Sequence, residues 1–145
     1  MPLINREKRT MTDEKQYYDD TGKLILRLTV GGLMLFHGVS KLLNPGTVDF
    51  IGGQLSDSGL PSLLAYGVYL GEIVAPLMII VGVLTRVGGL LIAINMLFAV
   101  LLMHTGDFLS LTEHGGWRLE LQGFYFFGGL ALMFLGSGRL AVKPC

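Results

Sequence analysis

The chain has 145 residues, 51% of them hydrophobic and 15% charged, with a formal net charge of zero. Its mean hydropathy is +0.58, which at one domain's length suits a small multi-pass membrane protein and not a soluble domain. The charge balance offers nucleic acid no basic patch, and a single cysteine, Cys145, excludes an internal disulfide, a cysteine-ligated cluster and a dithiol relay.

Residues 1–23 are polar and densely charged, without the apolar core of a secretory signal. They are expected to form a cytoplasmic tail, disordered at first and helical near Tyr17-Tyr18. Four apolar stretches follow, and they predict membrane spans at 24–43, 63–84, 87–103 and 119–135. Asn44-Pro45-Gly46 stops the first span. The loop 44–62 carries Gly52-Gly53, Pro61 and an apolar pair, Phe50-Ile51, suited to the interface. A tight turn at Thr85-Arg86 makes the second and third spans antiparallel neighbours. The loop 104–118 holds Trp117, an interfacial anchor, and residues 141–145 form a second short tail.

With the N-terminus in the cytoplasm, Arg6, Lys8, Arg9, Lys15, Lys23, Arg27, Arg86, Arg139 and Lys143 lie inside and only Lys41 and Arg118 outside. That asymmetry satisfies the positive-inside rule. The expected fold is therefore all-α, an integral membrane four-helix bundle in the inner membrane with N- and C-termini cytoplasmic.

Ionisable residues inside the spans mark where function should lie, because each costs roughly 2.5–3.5 kcal/mol to insert unless it meets a partner or a wet cavity. They are Arg27, His37, Lys41, Glu72 and Glu120. At 1.5 Å per residue, His37, Lys41, Glu72 and Glu120 fall into one layer of the outer half, with Asn95 lower, near the midplane. Arg27 lies close to the cytoplasmic end, where snorkelling to headgroups is its simplest role. Arg27, His37 and Lys41 share an arc of about 80° on one helix face. Pro76, four residues after Glu72, withdraws the amide that would bond the Glu72 carbonyl and kinks the span. Gly67, Gly71 and Ala75 make a small-residue stripe for close helix packing, and Gly128-Gly129 can serve likewise.

A weak internal repeat relates Arg27 with Gly31-Gly32 to Arg86 with Gly88-Gly89, and Ala75-Pro-Leu-Met78 to Ala131-Leu-Met133. In so Gly- and Leu-rich a chain, chance accounts for this as well, and no functional expectation rests on it. No metal site is expected, since Lys41 opposes a cation beside His37, Glu72 and Glu120. Haem ligation by His37 and His104 is disfavoured, because any membrane bundle with two histidines would suggest it.

In order and spacing, several segments resemble the DoxX family of small bacterial membrane proteins and its YphA-like relatives. They are Arg27 with Gly31-Gly32, His37-Gly38-Val39-Ser40-Lys41-Leu42, Gly71-Glu72 followed by Pro76, Val81-Gly82-Val83-Leu84-Thr85-Arg86 and Leu135-Gly136-Ser137-Gly138-Arg139. The family's closing motif continues toward a serine and an aspartate, where this chain has Ala141 and Lys143, so its tail need not act as the family's does. The resemblance implies a four-helix membrane bundle. Some relatives are named as small subunits of quinone-linked oxidoreductases, such as thiosulfate:quinone oxidoreductase, and others are linked to redox or quinone stress.

The functional expectation is an outward-facing polar pocket that binds a quinone or similar amphipathic molecule, or a membrane subunit of an oxidoreductase. His37 and Lys41 would donate to quinone carbonyls, while Glu72 or Glu120 balances charge and relays a proton. The alternative is a non-catalytic membrane partner or assembly protein. A small transporter is disfavoured, because four helices leave little room for alternating access without a homo-oligomer. Reporter fusions test the topology: those at residues 20 and 143 should report cytoplasm and those near 55 and 112 the outside. An outside signal from either terminus would overturn the depth argument too.

Overall fold

The computed structural model describes residues 2–145, with side chains from Arg6 onward. Five helices organise the described residues: α1 (Pro2–Leu43), α2 (Gly46–Asp57), α3 (Ser62–Val81), α4 (Thr85–Met103) and α5 (Glu120–Leu135). The described residues contain no strand, only an isolated bridge between Leu111 and Trp117. By length and composition α1, α3 and α4 can each cross a membrane, and α5 is a shorter apolar helix of 16 residues.

Helix α1 corrects the expected disordered tail. It runs unbroken for 42 residues, about 60 Å. Extending a helix already nucleated by an apolar span is far easier than starting one. Local contacts support the extension: Lys23 pairs with Asp19 at 2.6 Å, and Thr10, Thr12 and Thr21 bond back to carbonyls three or four residues earlier. Near its base, Asp20 is buried. It accepts the Arg139 backbone N–H at 2.9 Å and Arg139 Nε at 2.6 Å.

Two connections also differ from expectation. Residues 46–57, read as loop, form α2, whose Val48, Ile51 and Leu55 recur at helical spacing and turn inward. Gly46, Gly52 and Gly53 mask that pattern in the sequence. The turn after α3 lies at Gly82–Leu84 and not at Thr85-Arg86, which already belong to α4. Gly82 adopts φ +80, and the Val83 amide reaches back to the Met78 carbonyl, a Schellman-type ending. A Cβ at residue 82 would also overlap Ala141 and the Arg27 guanidinium, so only glycine fits there.

α1, α3, α4 and α5 pack on one another around Val30, Met34, Ala75, Ile79, Ile92, Met96, Tyr125 and Leu132. α4 and α5 approach closely: a Cβ on Gly129 would lie 2.6 Å from the Gly89 carbonyl oxygen. Of the glycines expected to serve packing, Gly71, Gly128 and Gly129 do so, whereas Gly67 meets nothing. Outward-facing Leu33, Phe36, Leu77, Leu97, Leu101 and Phe134 are exposed, a covering suited to lipid and not to water.

Arg27 does not snorkel. It is 1% exposed and its guanidinium donates to four carbonyls: Nε to Ile79 at 2.7 Å, Nη2 to Ile80 at 2.9 Å, and Nη1 to Leu140 at 2.6 Å and Ser137 at 3.1 Å. The Gly82 and Val83 amides serve the Met78 carbonyl, and the Val142 amide serves Val81. All four terminal carbonyls of α3 are thereby satisfied. Arg86 repeats the device one hairpin later, its Nη1 donating to Met133 at 3.1 Å and Phe134 at 2.8 Å at the end of α5. The weak sequence repeat thus has a physical counterpart in two arginines that cap two helices. Charge-assisted hydrogen bonds to buried groups contribute roughly 1.5–3 kcal/mol each, so Arg27→Met should destabilise the protein by about 3 kcal/mol or more. Arg86 is exposed, and Arg86→Met should cost about 1 kcal/mol or less. Thermal unfolding of both variants in one detergent checks the contrast; equal losses would contradict it.

Candidate functional site

Pro76 has no N–H to donate toward Glu72, and the helix answers by widening: residues Leu70–Val74 are π-helical, with the Ala75 amide bonding the Leu70 carbonyl. Such widened turns recur at functional sites. Here the widening carries the Glu72 side chain. Gly38 of α1 abuts the Glu72 backbone carbonyl so closely that a Cβ would overlap it. One turn further along α1, Lys41 can then reach across.

Lys41 Nζ donates to Glu72 Oε2 at 2.5 Å. The other carboxylate oxygen, Oε1, accepts Asn95 Nδ2 of α4 at 3.2 Å. Tyr69 Oη donates to the Lys41 backbone carbonyl at 3.3 Å. The Glu72 side chain is 6% exposed and that of Lys41 17%. Gly71 packs directly on the Asn95 side chain, which fixes the amide at its carboxylate.

Beside this polar set lies a cavity of about 420 Å³, between α3 and α4 and roofed by α2. Its other walls are chiefly apolar, among them Ile51, Leu55, Val68, Leu91, Phe98 and Leu102. Lys41, Glu72, Asn95 and Thr47 are its polar contributors. Its size falls within the range of small-molecule pockets, roughly 300–1,000 Å³.

Residues 22–105 match the family model described as DoxX, more than half of the chain. The chain belongs to the DoxX family. It is 32% identical over 83 residues to a Bacillus subtilis (strain 168) protein named "Putative oxidoreductase CatD", a match covering 57% of this chain and 59% of that relative. It is 30% identical over 120 residues to a Haemophilus influenzae protein described as "Uncharacterized protein", covering 81% of this chain and 84% of that one. No solved structure matches. The DoxX-matching segment contains Lys41, Glu72, Asn95 and the whole cavity lining; α5 lies beyond it.

Of the residues expected to form one layer, Lys41 and Glu72 come together and the other two do not join them. His37 is exposed and stands edge-on to Tyr125 of α5, ring centroids 5.7 Å apart. Although one turn from Lys41, it faces a different neighbour. Glu120 is exposed in the first turn of α5, near Gly116, where an acid favours the helix dipole. Arg27 acts as the buried helix cap described above, remote from the cavity lining. His104 contacts Asp107 Oδ2 at 3.3 Å and Gln122 Nε2 at 3.5 Å. Asn95, expected lower and near the midplane, instead reaches the Glu72 carboxylate.

Removing one partner of a buried ion pair costs roughly 3–5 kcal/mol, because the other charge is left uncompensated. Glu72→Gln should therefore lower thermal stability in detergent, and Lys41→Met should partly rescue it. The double-mutant cycle is the check, and additive losses would show that the two groups do not interact.

Proposed function

We propose that this DoxX-family protein is a four-helix inner-membrane protein, both termini cytoplasmic, that binds a quinone or similar small amphipathic molecule in the α3–α4 cavity. In that role it would serve an oxidoreductase as its membrane subunit. The observation that carries the reading is the set formed by buried Glu72 with half-buried Lys41 and Asn95 at the polar end of an otherwise apolar cavity. A quinone has an apolar ring and tail with carbonyl acceptors at the head. Lys41 has ammonium protons beyond the one given to Glu72, and Asn95 has a second amide proton. Glu72 balances the lysine and can exchange a proton with a reduced head group. The name of the Bacillus relative agrees with a redox setting. The excess of basic residues on the expected inner side supports the orientation.

A second reading has one observation in its favour: the ion pair is already closed at 2.5 Å, as it would be in a non-catalytic assembly protein whose charges only fix helix packing. Titration with a short-chain ubiquinone analogue in mild detergent separates the two. Asn95→Leu should weaken binding by up to about tenfold, the equivalent of one neutral hydrogen bond, with a smaller loss of stability. His37→Ala should leave binding unchanged. Absence of binding by the wild type rejects the quinone reading. Loss of binding only in proportion to unfolding supports the scaffold.

A further inference from the structure

We infer that the cavity fills sideways, from the hydrocarbon phase of the bilayer, and that its ligand carries an uncharged, hydrogen-bond-accepting head. The inference rests on reading the cavity as a ligand site and adds the route of entry and the class of head group. Its basis is the different character of the cavity's boundaries. The roof is packed: Val48 and Leu55 of α2 are 3% and 2% exposed, seated with Ala65, Val68 and Leu102 in a core cluster of their own. Of the α2 residues on the cavity only Thr47, in the first turn, is exposed, and entry from water beneath the rest of α2 would require breaking that cluster. The long side is different. Leu64 and Leu70 of α3 and Ile94 and Phe98 of α4 line the cavity and are themselves 41–55% exposed on the lipid-facing surface. Each of these side chains borders the cavity on one side and lipid on the other, so small rotamer changes open a passage.

The head-group class follows from charge. Lys41 and Glu72 neutralise each other at contact distance, and Asn95 holds the second carboxylate oxygen. A carboxylate or phosphate head would have to sit beside Glu72 while competing for an ammonium already engaged. A cationic head would meet Lys41 in the same way. A neutral carbonyl can accept from the free N–H groups of Lys41 and Asn95 without disturbing the pair. A ligand of this class dissolves in the hydrocarbon phase, where the lateral mouth opens.

The test uses the full chain in lipid nanodiscs loaded with decylubiquinone, and follows exchange for the deuterated compound by native mass spectrometry. A Cβ at residue 52 would lie 3.5 Å from Ser62 Cβ, within the range for a disulfide. Gly52→Cys with Ser62→Cys, in a Cys145→Ser background, therefore locks the roof on oxidation. The expected result is exchange within twofold of the reduced protein. Ile94→Trp, which narrows the mouth, should slow exchange at least tenfold. Phe98→Ala, which removes bulk at a lipid-facing position, should speed it at least threefold, and this sign stands even if the tryptophan variant folds poorly. Palmitate in excess should not displace the quinone.

Exchange stopped by the disulfide and indifferent to residues 94 and 98 would overturn lateral entry in favour of a route beneath α2. Displacement by palmitate would overturn the uncharged-head assignment. In both cases quinone remains bound to the wild type. A wild type that holds no decylubiquinone overturns the ligand-site reading itself, and this route with it.

Discussion

A helix end sealed off by protein has no water to bond its last carbonyls, and at the end of α3 every one of them finds a donor within the protein. Arg27 supplies two of those bonds and ties the segment after α5 into the same knot through Leu140 and Ser137. The geometry above depends on this anchor. It fixes the height of α1 against α3, so that Gly38 meets the Glu72 carbonyl and Lys41 meets its carboxylate. Lys41 stands 14 residues beyond Arg27, about 21 Å along the helix. A slip of one residue at the anchor would rotate Lys41 about 100° away from its partner.

At the other end of that span, the chain accepts local disorder of the helix ladder in exchange for chemistry. Pro76 imposes the widened turn, the turn projects Glu72, and glycines at 38 and 71 bring α1 and Asn95 close to it. A buried ion pair is weak support for stability compared with well-packed apolar residues. A pair serving only to lock helices would also be expected to have side chains packed against it, whereas here about 420 Å³ of mostly apolar space adjoins it. Polar atoms gathered at one end of an apolar space are the arrangement that amphipathic ligands require.

Much of this could be read from the chain. Mean hydropathy and span lengths pointed to the apolar helices, and the acid inside the second span pointed to Glu72. Proline four residues on foretold the disturbed helix. A turn at residues 85–86 puts Asn95 too low. With α3 ending at Val81 and α4 starting at Thr85, Glu72 and Asn95 stand about 14 and 15 Å from the same end and are level. His37 and Glu120 stand apart from the Lys41–Glu72 pair for a different reason. Height and helical phase constrain where a side chain points, but which neighbouring helix it meets depends on packing that a periodicity does not contain. Glycines hide helix α2 in the sequence, and the helix-end carbonyls that hold Arg27 away from headgroups carry no mark there.

The central claim is that the polar end of the cavity holds the head of a membrane-dissolved carbonyl compound. The most direct measurement is the composition of what leaves the membrane with the protein: gentle purification, an absorption spectrum, and mass spectrometry of the co-extracted lipids and quinones. The account predicts quinone at close to one per chain in the wild type and a marked depletion in a Glu72→Gln, Lys41→Met, Asn95→Leu triple variant that remains folded. Quinone no more abundant than with an unrelated membrane protein from the same cells, or equal amounts in wild type and triple variant, would contradict it.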